Sequence, residues 1–155
     1  MSLETTIETL RELNEPVPRP FRLPTEAEVT TAEHTLGVTF PADYRYFLLH
    51  GSDVTCGTLE PAVVIPDRGH LGLIVMAQTA WEAGVSRDHL PFCEDNGDYY
   101  CLTSDGRVVL WSHDGLFSGR WSDLAHWIQE VWIGWIHTQA ANHALQQAQP
   151  SRLPQ

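Results

Sequence analysis

Lysine is missing altogether. All nine basic residues are arginines, set against 20 Asp and Glu, for a formal net charge of −11 over 155 residues. Without lysine, Schiff-base chemistry and the lysine-bearing phosphate clamp of a P-loop are excluded. So few cations cannot displace the counterions of a phosphate backbone, which argues against nucleic acid and anionic membrane as ligands. Cysteine is scarce too: Cys56, Cys93 and Cys101 form an odd set with no CxxC spacing. That argues against a disulfide framework or zinc cage and for a reducing, cytoplasmic setting. No apolar run approaches the roughly 18 residues of a membrane span. The opening MSLETTIETLREL carries Glu4 and Glu8 where a secretory leader wants positive charge. Neither GxSxG nor HExxH is present.

What is present describes one globular domain: 43% apolar residues, six Trp, four Tyr and five Phe. Leu3, Ile7, Leu10 and Leu13 recur at helical spacing, with glutamates on the opposite side. Pro16, Pro18, Pro20 and Pro24 then force an extended lead. The division expected is therefore an N-terminal helix and lead over 1–21, a main domain over 22–147 and a short tail over 148–155. Thr25-x-x-Glu28 is a capping box opening a helix whose stripe is Val29, Ala32 and Leu36, with Gly37 as its stop. Pro41 and Asp43 start another, with Tyr44, Phe47 and Leu48 as its apolar face.

From Leu59 onward the pattern suggests strands. Ala62–Ile65, Leu73–Met76 and Leu90–Cys93 are short apolar runs, and Thr79–Gly84 adds a helical turn. The hairpin DYYCLT-SDG-RVVLW has Asp105-Gly106 as its turn, and both its faces are largely apolar, which makes it central. Ser122 is expected to cap a last helix reaching about Gln147. Its apolar residues go nearly all round, which admits a homodimer through this C-terminal helix.

Candidate chemistry is thin. Eight scattered histidines lack the i, i+4 spacing of helical metal ligands, His137 and His143 being six apart. Glu94-Asp95-Asn96-Gly97-Asp98 resembles a calcium loop superficially but lacks the EF-hand ligand order. Its carboxylates would suit acid–base hydrolysis, and its Asn-Gly suits a plain turn, the reading preferred here. Either way Glu94, Asp95, Asp98 and Asp114 gather negative charge for a basic partner. A Cys93 or Cys101 thiol paired with His113 lacks any electropositive neighbour to activate it, so buried cysteine is the expectation. Trp111, Trp121, Trp127, Trp132 and Trp135 exceed what a core this size requires, leaving one or two for a partner.

The run LPTEAEVTTAEHTLGVTFPADYRYFLLHGS resembles the opening of the SUKH superfamily, the family of cell-wall assembly regulators and bacterial immunity proteins. The residues that carry it are Glu33, Gly37, Phe40, Pro41, Asp43 and Tyr44, followed by Gly97-Asp98-Tyr99-Tyr100, Trp111 and His113-Asp114. The likeness runs over about 22–133 and departs at His50-Gly51-Ser52-Asp53, where the family often has an Asn-Gly-Gly-like turn. It implies an α+β fold: a single domain with a curved, mainly antiparallel sheet, helices packed against it and a long C-terminal helix. It also implies a binding role, and the thin chemistry of the residues makes the expectation a non-enzymatic one without cofactor or metal. The partner implied is a protein, a cognate basic toxin of nuclease or deaminase type. A regulatory scaffold and, further off, a small carboxylate hydrolase are the alternatives.

Overall fold

The computed structural model describes residues 2–114 and 117–148; the tail expected from 148 onward falls outside them except for its first residue. Helix α1 (Leu3–Glu12) is capped by Ser2, whose hydroxyl accepts the Thr5 N–H. Its Ile7 and Leu10 are buried in the same core as the rest of the chain. The lead that follows is tied to the domain: the Glu15 N–H donates to the Thr55 carbonyl at 2.8 Å, and Asn14 Oδ1 accepts the Thr55 N–H at 2.9 Å.

Helix α2 (Glu26–Leu36) carries both halves of the capping box at Thr25 and Glu28, and ends on Gly37 at φ +69°. That left-handed conformation explains glycine at this position. Helix α3 (Ala42–His50) begins after Pro41 and buries Tyr44, Phe47 and Leu48. Glu33 joins the two helices. One carboxylate oxygen accepts the Phe40 N–H at 2.7 Å, and the other takes Arg45 Nη1 at 2.8 Å.

Two of the expected strands are not strands. Leu73–Met76 opens helix α4 (Leu73–Ala83), which buries Leu73, Met76, Ala77 and Ala80. A four-residue apolar run carries no period of its own, and the helical spacing shows only once Ala77 and Ala80 are added. The segment 62–65 makes a single parallel bridge, Val63 to Gly72, between Pro61 and Pro66. The expected turn at Thr79–Gly84 is the end of α4.

The sheet is an antiparallel meander in the order β1 (Leu90–Asp95), β2 (Asp98–Leu102), β3 (Val108–Trp111) and β4 (Phe117–Trp121). The expected hairpin forms its centre. A bulge at Phe92 separates the pairs Pro91–Cys101 and Cys93–Tyr100. It frees the Phe92 ring to meet Tyr44 and Trp127, at centroid distances of 5.8 and 4.9 Å. The outer edge of β1 is covered where the Ala62 N–H donates to the Phe92 carbonyl.

The last helix is broken in character. Asp123, not Ser122, caps α5 (Leu124–Trp127), its carboxylate accepting the His126 N–H at 2.8 Å. Asp123 is the residue whose extended backbone precedes the first helical turn, so its oxygen is the one within reach of that orphan donor. A π-helical segment follows over Ile128–Ile133, then α6 (Gly134–Ala148). The wider π turn brings residues five apart onto one face. Trp127 and Trp132, and Ile128 and Ile133, are accordingly all buried. The α+β, single-domain architecture with a long C-terminal helix is thus present.

Candidate partner-binding surface

The β1–β2 hairpin closes through Asn96 and Gly97, both at positive φ (+52° and +88°). Two such residues form the tight turn whose twist suits an antiparallel pair. Asp95 and Asp98 therefore face each other across the ladder. Glu94 Oε1 accepts the Gly97 N–H at 3.1 Å, and Asn96 Nδ2 donates to Asp95 Oδ1 at 3.3 Å. The acidic loop is a hairpin turn, and among the described residues no three His, Cys, Asp or Glu side chains assemble as metal ligands.

Tyr99 pairs with Trp111 in the β2–β3 ladder, so the segment after Trp111 reaches the same end of the sheet as the turn. There Asp98 Oδ1 accepts both the backbone N–H of His113 and its ring Nδ1, each at 2.9 Å. These hydrogen bonds, the backbone one first, hold the Asp98 carboxyl below its ordinary range. The same pairing raises His113, through the hydrogen bond to Asp98 first and then the charges of Asp98 and Asp114. The four predicted carboxylates thus collect at one end of the sheet. Glu94, Asp95 and Asp114 are exposed, whereas Asp98 is half-buried and committed to His113.

The motif residues shared with the resembled family serve architecture. Phe40 packs edge-on against Tyr44 at 5.4 Å, and Trp111 lies 6.0 Å from Tyr99. Asp43 stands in the first turn of α3, where a negative charge favours the helix N-terminus. Pro41 approaches Gly106, at the opposite end of the sheet from the acidic turn.

The thiols are inert. All three are buried, and burial pushes Cys56 up to about 11, Cys101 up to about 12 and Cys93 further still. No thiolate is available to pair with His113, whose ring is occupied by Asp98. Of the aromatic set, Trp111, Trp127 and Trp132 belong to the core, while Trp121 and Trp135 are half-buried. Among the described residues the exposed large apolar side chains are Leu23, Val75 and Leu145, none aromatic. Trp121 and Trp135 are the two tryptophans of the expected set that keep partial exposure. The core takes Trp132 of the π segment together with Trp127 at the end of α5 because the wider turn aligns the two.

One chain of groups escaped the sequence reading. Ser122 Oγ lies 3.1 Å from His126 Nδ1, and His126 Nε2 lies 2.7 Å from Glu130 Oε2. The spacing of four residues is its sequence signal. All three side chains are exposed at the start of the last helix, where they extend its cap.

A family model, SUKH_5, described as SMI1-KNR4 cell-wall, matches residues 3–133. The match begins at the first residue of α1, upstream of the run that carries the resemblance. Among solved structures, a protein from Pseudomonas syringae pv. tomato is 42% identical with a TM-score of 0.81; the alignment covers 84% of this chain and 98% of that one. No curated protein matches.

Proposed function

The chain belongs to the SUKH family, and from that premise we propose that it is a non-enzymatic, cytoplasmic binding protein that neutralises a cognate basic toxin, of nuclease or deaminase type. The observation that carries this reading is the acidic end of the sheet, where Glu94, Asp95 and Asp114 stand exposed on a rigid hairpin. A nuclease or nucleic-acid deaminase presents basic surface to its substrate, and a chain of net charge −11 is steered onto such a surface. Asp98 supports the site by holding His113 and with it the segment that bears Asp114.

The family description, which names the cell wall, favours one second reading: a regulatory scaffold that recruits a protein partner. Hydrolysis by the turn carboxylates is disfavoured, because Asp98 already accepts two hydrogen bonds from His113. Self-association through α6 remains part of the proposal. Residues 137–147 are exposed, and 131–148 contain no Asp, Glu, Lys or Arg, so two copies meeting there bring no like charges into direct contact.

The test is capture of partners by tagged protein from its source cells at low and then moderate salt, read by mass spectrometry. The proposal predicts one basic protein that elutes as salt rises. A partner that is acidic, or whose retention ignores salt, contradicts it.

A further inference from the structure

Arg107 and Arg120 line one cleft at the end of the sheet. Val109 pairs with Arg120 across the β3–β4 ladder, which puts those two side chains on one face, and Arg107 stands just before β3 in the wall of the same cleft. Thr103 is fastened beside them: its N–H donates to the Arg107 carbonyl at 2.9 Å, and its hydroxyl accepts the Arg107 N–H at 3.1 Å. His89 immediately precedes the pair Leu90–Leu102 and so adjoins Thr103. Helix α4 packs on β1 and ends here, with Trp81 Nε1–H donating to the His89 carbonyl at 2.9 Å. Beyond its end a cleft of about 370 Å³ remains, lined by His89, Thr103, Arg107, Val109, Arg120 and Ser122 among others.

The charge of this cleft runs against that of the chain. No Asp or Glu lines it, although acidic residues outnumber basic ones about two to one overall. Four further clefts each have at least one carboxylate in their walls. Arg120 forms no ion pair among the described residues. Arg107 shares its guanidinium with Asp105 at 3.0 Å, and both side chains are more than half exposed, so solvent screens that pair.

We propose that this cleft binds a carboxylate carried on a small apolar body, with Arg120 and Arg107 on the carboxylate and Val109 under the body. The planar guanidinium fork matches a carboxylate in two parallel hydrogen bonds. A monoanion fits better than a phosphate dianion. Asp105 already offsets part of the local positive charge, and the surrounding field of a −11 chain opposes a second negative charge. The site lies at the opposite end of the sheet from the acidic turn and does not depend on the toxin-binding reading.

The experiment is amide-detected NMR titration of the full chain with sodium benzoate, with benzamide as the uncharged isostere at matched ionic strength. Saturable shifts are expected at Val109, Arg120 and Ser122, with benzamide at least about tenfold weaker. Arg120→Gln alters an exposed side chain outside the core and should weaken benzoate by about tenfold or more. Asp105→Asn frees Arg107 and should tighten it severalfold. The proposal is overturned by absence of saturation in the tens of millimolar, by equal binding of benzamide, or by benzoate binding that survives Arg120→Gln unchanged. Tighter binding of inorganic phosphate than of benzoate also overturns it.

Discussion

Glu33 is the residue on which the first half of the domain turns. Its two oxygens take a backbone N–H from the α2–α3 connection and a guanidinium from α3. Replacement by Ala leaves the Phe40 N–H without its acceptor, so Glu33→Ala should cost about 1–3 kcal/mol in urea denaturation, and Glu33→Gln, which keeps an acceptor, distinctly less. Equal losses would place the effect in the arginine contact instead. At the other end of the sheet, Asp98 and His113 link stability to pH in opposite directions. The depressed Asp98 carboxyl contributes stability above its unfolded value, lost as pH falls through its folded one. The raised His113 contributes below its unfolded value, lost as pH rises through its folded one. The two overlap fully between about pH 4 and 6.5. In an NMR titration the His113 ring should change charge above its ordinary 6.5, and Asp98→Asn should return it towards that value. An unmoved midpoint would show that the pair does not form in solution. The buried thiols give a third check: native protein should leave Cys56, Cys93 and Cys101 unmodified by a thiol reagent that modifies all three after unfolding.

At the scale of elements, legibility in the sequence followed the presence of punctuation. Helices α2 and α3 carry Thr25, Glu28, Gly37 and Pro41 at their ends, and their boundaries and buried faces follow from those residues. The central hairpin follows from its alternation and from Asp105-Gly106. Helix α4 was hidden because Leu73–Met76 fits either period, and β4 because FSGRW is short, with Ser118 and Gly119 unlike strand residues. Its glycine has a reason within the strand: a Cβ at Gly119 would stand 2.6 Å from Cη2 of Trp121, two residues on and on the same face. The acidic end was legible as a cluster but not as a geometry, since the Asp98–His113 contact depends on strand pairing. The arginine cleft was invisible because its walls come from β3, from β4, which the sequence did not show, and from the residues flanking β1 and β2. The π segment is the least legible element, since it departs from the 3.6-residue period on which helix reading rests. Deleting Glu130, an exposed residue within it, leaves Trp127 and Trp132 four apart, still on one face once the turns become α-helical, whereas inserting one Ala there sets them six apart and rotates Trp132 and Ile133 away from the core. The insertion should therefore lower Tm far more than the deletion, and the reverse order would contradict the role assigned to the wide turn.

For the whole molecule, the distribution of charge matters more than its sum. The exposed carboxylates of one sheet end oppose a cleft without carboxylates at the other, and 131–148 carry no formal charge beyond histidine. Three surfaces of different character thus share one small domain: an acidic end, an arginine cleft and an uncharged helix. The acidic end bears the central claim, that this chain binds a basic protein through Glu94, Asp95 and Asp114. Steering of that kind raises association rates and falls steeply with ionic strength. Asp98 is unsuitable for the test because its replacement also releases His113. The most direct measurement is therefore the association rate of the captured basic partner against salt, for the native chain and for Glu94→Arg/Asp95→Arg. The account predicts that the double reversal slows association about tenfold or more at low salt and flattens its salt dependence, with the fold intact. Association at the native rate, with the native salt slope, would contradict it.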